Sequence, residues 1–220
     1  MPDRDLQARV IAVVGSTGGL GGALVDVLEQ RGATVVRVGH SKPADVALDL
    51  RDSTAGAALV AHCRTVHGRL DGVIVAAGIV AFGNLVDTDD VVMEELFLTN
   101  ALGPMWLAKQ VVPVLQETQG FFVNVSGVVA DTPMPGMAAY SASKAGAAAA
   151  MEAVRREFRR SRVHVVDARP PHTETGLASR PLAGVAPKMP QGLTPRAVAE
   201  RIVLAIEGND AVVAANDFES

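Results

Sequence analysis

The chain is poor in aromatic residues and in cysteine. Phe, Trp and Tyr together make up 4% of the 220 residues. The predicted core is therefore packed from Ala, Val and Leu, with close backbone approaches, rather than from stacked rings. The single cysteine, Cys63, excludes an internal disulfide and suits a reducing compartment. It falls in a predicted helix, and we interpret it as a small buried or half-buried thiol rather than a nucleophile.

An excess of positive charge and long apolar runs are missing too. Twenty Lys and Arg stand against 24 Asp and Glu, giving a net charge of −4, so no nucleic-acid partner is predicted. The charged start of the chain lacks the apolar core of a signal peptide. No apolar run reaches the roughly 18 residues of a membrane span. We therefore expect no membrane partner and a cytoplasmic location.

Short β-branched apolar runs alternate with longer Ala- and Leu-rich segments. The predicted strands are 10–14, 34–38, 46–48, 72–76, 121–125, 163–167 and 211–214, and the predicted helices are about 19–31, 53–66, 88–97, 100–116, 138–160 and 195–207. Apolar strands that alternate with helices indicate a parallel sheet covered on both faces. The prediction is an α/β fold in one domain over residues 1–220.

Residues 169–194 interrupt this alternation. They carry five prolines and several glycines between a predicted strand and a predicted helix. A loop this long in a compact domain is usually functional. We interpret it as a substrate lid, with a disordered surface insertion as the alternative.

A glycine-rich turn directly follows the first predicted strand and opens the first helix. Its residues are Gly15, Ser16, Thr17, Gly18, Gly19, Leu20 and Gly21. Glycines at such a turn let the backbone approach a pyrophosphate held at the helix N-terminus. Such a turn alone could serve strand–helix packing, but its place in an alternating chain favours a dinucleotide site.

The only tyrosine, Tyr140, lies four residues before Lys144. On a helix this spacing places both side chains on one face. A nearby cation favours the phenolate, so the sequence predicts that the pKa of Tyr140 falls from about 10 toward neutrality. Tyr140 would then serve as an acid/base group, although pairs at this spacing also occur on solvated helix faces.

Several motifs, in this order and spacing, resemble the short-chain dehydrogenase/reductase family over essentially the whole chain. The glycine motif, asparagine, serine, tyrosine and lysine of the family are matched by Gly15, Gly19, Gly21, Asn100, Ser126, Tyr140 and Lys144. The resemblance implies a doubly wound, Rossmann-like domain with seven parallel strands in the order 3-2-1-4-5-6-7. It also implies reversible hydride transfer between a nicotinamide cofactor and a carbonyl or alcohol.

The resemblance assigns a catalytic role to each of four residues. Tyr140 gives a proton to the carbonyl oxygen, and Ser126 hydrogen-bonds that oxygen. Lys144 lowers the Tyr140 pKa and binds the nicotinamide ribose, while Asn100 holds Lys144 through a water. Structural alternatives remain open for two of them: a helix cap for Asn100 and a strand-end turn for Ser126.

Two segments depart from the family pattern. The Asn-Asn-Ala-Gly that often follows the fourth strand reads Val75-Ala76-Ala77-Gly78, which concerns local packing more than catalysis. The Pro-Gly after the sixth strand reads Pro170-Pro171, and a second proline removes a backbone donor beside the nicotinamide. By resemblance, the further cofactor contacts are Asp49 (to the adenine), Leu50, Ala77, Gly78, Pro170, Thr173 and Thr175.

No carboxylate stands at the end of the second predicted strand, where a site that prefers NAD usually offers one to the ribose. The family often has an Arg-Ser pair there when it uses NADP, and this chain has His40-Ser41 followed by Lys42. These side chains could accept a 2′-phosphate. The prediction is NADP(H) in preference to NAD(H).

The expected substrate is a small or medium neutral carbonyl compound or alcohol, in an apolar pocket formed near 79–85, 127–137 and 171–194. The family implies a homodimer or homotetramer that pairs through 100–116 and 138–160. These segments contain Met105, Trp106, Val111, Val112 and Met151. No metal is predicted, because the five histidines lack ligand spacing. A non-catalytic NAD(P)-binding sensor and a sugar-nucleotide epimerase or dehydratase are the alternative functions, and 220 residues barely allow the substrate domain of the latter.

Overall fold

The computed structural model describes residues 4–40 and 43–218. Its seven strands form one parallel sheet in the order β3-β2-β1-β4-β5-β6-β7, which confirms the topology implied by the resemblance. The strands are β1 Val10–Val14, β2 Thr34–Gly39, β3 Val46–Ala47, β4 Gly72–Val75, β5 Phe121–Val125, β6 His164–Ala168 and β7 Val212–Val213. The two edge strands are shorter than predicted, and short edges expose little unpaired backbone.

Helices cover both faces of the sheet, as predicted. They are α1 Gly19–Gln30, α2 Ala55–His67, α3 Asp90–Phe97, α4 Gly103–Thr118, α5 Ala138–Glu157 and α6 Pro195–Gly208. Helices α1 and α6 bury their apolar stripes on one face, and α2, α4 and α5 bury theirs on the other. The core is mainly Val, Leu and Ala, so the prediction from composition is confirmed.

The predicted gap between the helices at 88–97 and 100–116 is wrong. A π-helical turn, Leu98–Leu102, joins α3 to α4, so the helical run is unbroken from 90 to 118. A π turn adds a residue to the helix and shifts the apolar pattern on its two sides. That shift made one helical run resemble two helices in the sequence.

Cys63 lies in α2 and is fully buried. Burial raises the pKa of its thiol to about 11, because the thiolate would lose its hydration. The thiol therefore stays protonated near neutral pH, in agreement with the interpretation of Cys63 as a packing residue.

The proline-rich loop, residues 169–194, packs against the rest of the chain. Leu182 N donates to Val80 O at 2.8 Å, and Phe82 N donates to Ala183 O at 2.9 Å. A bridge also joins Thr173 to Leu193, two residues before α6. These contacts hold the loop over the segment that follows β4, so the alternative of a disordered insertion is wrong.

Candidate active site

The predicted site residues lie at the carboxyl edge of the sheet, where the strands of doubly wound folds present their ligand-binding loops. The glycine turn follows β1, the segment 76–78 follows β4, Ser126 follows β5 and Pro170 lies two residues past β6. The topology thus brings distant parts of the chain to one cleft.

The glycine turn is shaped by close backbone contacts. Gly15 has φ of +88°, and a Cβ there would lie 2.7 Å from Ala77 N. A Cβ on Gly19 would lie 2.8 Å from the Cα of Thr175. A Cβ on Gly21 would collide with the Gly15 carbonyl. Gly15 and Gly19 therefore let the turn approach the segments after β4 and β6, and Gly21 lets α1 begin close to Gly15. Packing of the turn alone could also require these glycines.

The N-terminus of α1 nevertheless fits an anion. No acidic residue lies in its first turn, and no side chain caps it within the described residues. The first amides of a helix have no partner inside the helix, so they can donate to a phosphate. Three neighbouring residues are occupied elsewhere: the Ser16 hydroxyl donates to Val38 O at 3.1 Å, Leu20 packs in the core, and Gly18 N donates to Gly15 O at 2.9 Å.

Asn100 is buried in the π-helical turn, and its side chain links two segments by hydrogen bonds. Its Nδ2 donates to Ile79 O at 2.9 Å and to Ser143 Oγ at 3.1 Å, and its Oδ1 accepts from Ile79 N at 3.0 Å. The side chain thus fastens the segment after β4 to α5. The alternative role of Asn100 as a helix cap is wrong, because it lies within a continuous helical run.

Lys144 points from α5 into the same cleft. It is 6% exposed, and its Nζ donates to Val125 O at 2.9 Å. A Cβ on Gly78 would lie 3.1 Å from both Lys144 Nζ and Asn100 Oδ1, so only a glycine fits easily between them. Burial lowers the pKa of Lys144 to about 8, and the nearby Asp167 carboxylate opposes that shift.

The predicted lowering of the Tyr140 pKa is wrong for the protein without ligands. Burial raises the pKa of Tyr140 to about 12. The ring is 8% exposed and packs in an apolar cluster with Val80, Phe82 and Met137 beneath the proline-rich loop. The lysine ammonium donates instead to the Val125 carbonyl, so desolvation dominates the phenol.

Ser126 is fully buried directly after β5. Its backbone N–H donates to Ala168 O at 2.9 Å, and its hydroxyl donates to the same oxygen at 3.4 Å. Among the described residues, no hydrogen bond joins Ser126 to Tyr140. The loop also turns toward β6 through Val128 N, which donates to Pro170 O at 2.9 Å.

Asp49, the predicted adenine contact, belongs to a group of charged side chains that the sequence did not predict. Arg51 Nη2 lies 2.7 Å from Asp49 Oδ2, and Arg51 Nη1 lies 3.2 Å from Glu95. The hydrogen bond from Arg51 lowers the pKa of Asp49 to about 2. His40 Nε2 lies 3.7 Å from the same carboxylate. In the sequence, the position of Arg51 two residues after Asp49 could have indicated this ion pair.

The remaining predicted contacts are distributed around the cleft. Ser41, like Lys42, lies outside the described residues. The Thr17 side chain lies beside Gly39, Leu50 packs on Gly103, Thr173 Oγ1 donates to Pro171 O at 2.9 Å, and Thr175 lies on the glycine turn. In the ranges 4–40 and 43–218 no group of three metal-ligating side chains occurs, and no helix is long and apolar enough to cross a membrane.

Comparison with known proteins gives one consistent family. The family model described as short chain dehydrogenase matches residues 9–183. The chain is 27% identical over 227 residues to dehydrogenase/reductase SDR family member 7B of Bos taurus, which covers 90% of this chain and 70% of that protein.

Solved structures share the architecture. A short chain dehydrogenase from Burkholderia cenocepacia J2315 in complex with NADP has a TM-score of 0.85 at 24% identity, over 96% of this chain and 89% of that one. One from Burkholderia phymatum in complex with NAD has a TM-score of 0.86 at 18% identity, over 96% and 90%. At these identities the likeness concerns the fold.

Proposed function

Because the chain belongs to the short-chain dehydrogenase/reductase family, we propose that it is an oxidoreductase that transfers a hydride between a nicotinamide cofactor and a small or medium carbonyl compound or alcohol. The observation that carries this proposal is the buried convergence of Asn100, Lys144 and Tyr140 beside Ser126. Lys144 lies against Asn100 across Gly78 and donates to the residue before Ser126.

The cofactor supplies the hydride when it is bound. The amides at the start of α1 suit its pyrophosphate, and Thr175, one of the two proposed threonine contacts, lies where the loop after β6 reaches the glycine turn. The Lys144 ammonium binds the ribose. The hydrogen bond from Lys144 Nζ to Val125 O holds that ammonium beside the end of β5.

Tyr140 is the proposed proton donor. With its pKa raised to about 12, the phenol is protonated at neutral pH and is ready to donate to a carbonyl oxygen during reduction. Ser126 donates to the same oxygen and stabilises the charge that develops on it.

The substrate pocket is apolar and covered. Val80, Phe82 and Met137 surround Tyr140, and Leu177 and Ala183 of the proline-rich loop pack on them. We infer that this loop, residues 169–194, is a lid that opens for the substrate. A neutral ketone or aldehyde suits these walls better than a charged one, because burial of an unpaired charge is costly.

The proposed preference for NADP(H) is supported by the end of β2. Asp49 is engaged by Arg51, and the His40 side chain is 68% exposed at the mouth of the cleft. A 2′-phosphate would therefore meet an imidazole, and within the described residues no free carboxylate at the end of this strand would repel it.

A homodimer is proposed from one exposed apolar surface. Phe97, Leu102 and Met105 are 40%, 39% and 41% exposed along the α3–α4 run. By contrast, Val111, Val112 and Met151 are core residues, and Trp106 is half-buried. We therefore exclude these four residues from the proposed interface. Light scattering near twice 22.8 kDa would support pairing, and a mass of 22.8 kDa at micromolar concentration would refute it.

A panel of neutral aldehydes and ketones, followed by loss of NADPH and NADH absorbance, tests the main proposal. The Tyr140→Phe enzyme is the matched control, because it keeps the ring and removes only the hydroxyl. We expect the wild type to turn over at least one of these substrates, and we expect the Tyr140→Phe enzyme to lose that activity. No turnover with any substrate, by a protein that binds the cofactor, would favour the sensor instead.

A further inference from the structure

Two buried polar side chains, Asn124 and Asp167, lie on the sheet face under α5, and a third, Ser141, belongs to α5 itself. Asn124 of β5 and Asp167 of β6 are direct neighbours in the strand register. Phe122 and Val165, two residues earlier in each strand, belong to the core covered by α2, α4 and α5. Because side chains alternate along a strand, Asn124 and Asp167 face the same helices.

These side chains are not satisfied by the surrounding protein. Asn124, Ser141 and Asp167 are 2%, 2% and 4% exposed. Asn124 Nδ2, Ser141 Oγ and Asp167 Oδ1 have no hydrogen-bond partner among the described residues. Unpaired buried polar atoms are uncommon in folded proteins, so three of them around one helix need a physical explanation.

The Asp167 carboxylate is held firmly by its second oxygen. Arg169 Nε donates to Asp167 Oδ2 at 2.6 Å, and the same guanidinium pairs with Asp131. Asp131 lies just past the turn that follows Ser126. The ion pairs therefore join the end of β6 to the loop that carries the serine.

Asp167 belongs to a group of charged side chains at the end of β6. Arg169 pairs with both Asp167 and Asp131. Glu152 and Arg155 also border Asp167 from α5, and Glu152 pairs with Arg155 at 2.7 Å and with the exposed Arg156 at 2.8 Å. Lys144 is the buried cation of α5 on this side of the sheet.

We propose that Asp167 is a positioning residue that keeps the Lys144 ammonium charged and directed toward the cofactor ribose. The inference rests on the proposed hydride transfer, in which Lys144 binds that ribose. Burial alone favours the neutral amine, and Asp167 is the group that opposes this effect. The geometry supports this, because Asn124, the register partner of Asp167, directly precedes Val125, whose carbonyl accepts from Lys144 Nζ at 2.9 Å.

The charge of Lys144 can be measured without a substrate. The chain has four lysines, so the Cε signals of protein labelled with ¹³C-lysine can be assigned and titrated by NMR. Lys144→Arg identifies the signal. In the wild type it should titrate near pH 8. In Asp167→Asn it should titrate near pH 7 or below, because loss of a close counter-charge shifts a pKa by about one unit or more.

Asp71→Asn is the matched control. Asp71 is also a buried aspartate paired with arginines, but it lies at the opposite edge of the sheet. Its replacement should leave the Lys144 titration unchanged. If Asp167→Asn does not fold, Asp167→Ala removes the carboxylate without adding an amide, and Arg169 keeps Asp131 as its partner.

Affinity for NADPH, followed by fluorescence, gives the second readout. Asp167→Asn should bind as well as the wild type at pH 6 and about tenfold more weakly at pH 8. Asp167→Glu, which keeps the charge, should restore most of that loss. An unchanged Lys144 titration in both neutral variants would overturn the inference. A shifted titration in a protein that reduces no carbonyl would support Asp167 as the counter-ion of Lys144 and refute the hydride-transfer proposal.

Discussion

Each of two edges of the sheet, the amino edge and the carboxyl edge, holds a buried aspartate, and the two aspartates differ in their hydrogen-bond partners. At the amino edge, Asp71 accepts hydrogen bonds from Arg69 Nε at 2.7 Å, Val10 N at 2.9 Å and Arg9 Nη1 at 3.0 Å. At the carboxyl edge, Asp167 pairs one oxygen with Arg169 and leaves the other without a partner in the described chain. The first edge is built for stability, while the second keeps polar groups available for chemistry.

Loss of the Tyr140 hydroxyl should give the largest effect at the carboxyl edge. Tyr140→Phe removes the proposed proton donor, so turnover should fall by about two to four orders of magnitude. Folding and cofactor affinity should change little, because the ring stays in its apolar cluster. Steady-state kinetics and thermal unfolding measure both. A variant that keeps more than about a tenth of wild-type turnover would end the assignment.

At the amino edge the expected effect is on stability alone. Asp71→Asn removes the charge that pairs with two arginines, and it should reduce the free energy of unfolding by about 2 kcal/mol. This lies below the usual cost of breaking a buried pair, because Arg9 and Arg69 are 33% and 46% exposed. Urea denaturation at pH 7 measures the loss, and turnover per folded molecule should match the wild type.

The contribution of the Asp71 charge to the stability of the protein should disappear at low pH. Burial alone would raise the pKa of Asp71, but the hydrogen bonds from Arg69, Val10 and Arg9 together hold it below the ordinary value. The stabilisation is therefore present above the unfolded pKa of about 3.9 and is lost as pH falls through the folded value. Wild type and Asp71→Asn should converge in stability in strong acid, and a constant difference down to pH 2 would contradict this.

Cofactor affinity should report the pH at which Lys144 loses its charge. The pKa of Lys144 is lowered to about 8, so binding should be constant below pH 8 and should weaken by up to about tenfold per pH unit above it. Lys144→Arg should give a flat profile over this range, because arginine stays protonated. An equally steep loss in this variant would point to another group.

The smallest expected effect concerns His40. An exposed charge contact is worth at most about 1 kcal/mol, so His40→Ala should reduce the ratio of kcat/KM for NADPH over NADH by about two- to fivefold. His62→Ala, in α2, is the control and should leave the ratio unchanged. A wild-type enzyme that prefers NADH would contradict the proposed preference.

The sequence predicted the sheet well, because each strand is a short apolar run bounded by turns. It predicted the π turn around Asn100 poorly, since one added residue disturbs the helical period without changing the composition. It also gave the wrong direction for the Tyr140 pKa. Spacing shows that Lys144 is near in the chain, but the burial that controls the phenol comes from Phe82 and the loop beyond residue 169.

The two backbone hydrogen bonds that fasten the loop to the segment after β4 have a kinetic consequence. The amide protons of Phe82 and Leu182 can exchange with solvent only when those bonds break. If the loop is the lid, the same opening equilibrium limits how often a substrate reaches Tyr140. Deuterium uptake at these two amides would then measure the open fraction, and the apparent substrate affinity should be weakened by that fraction.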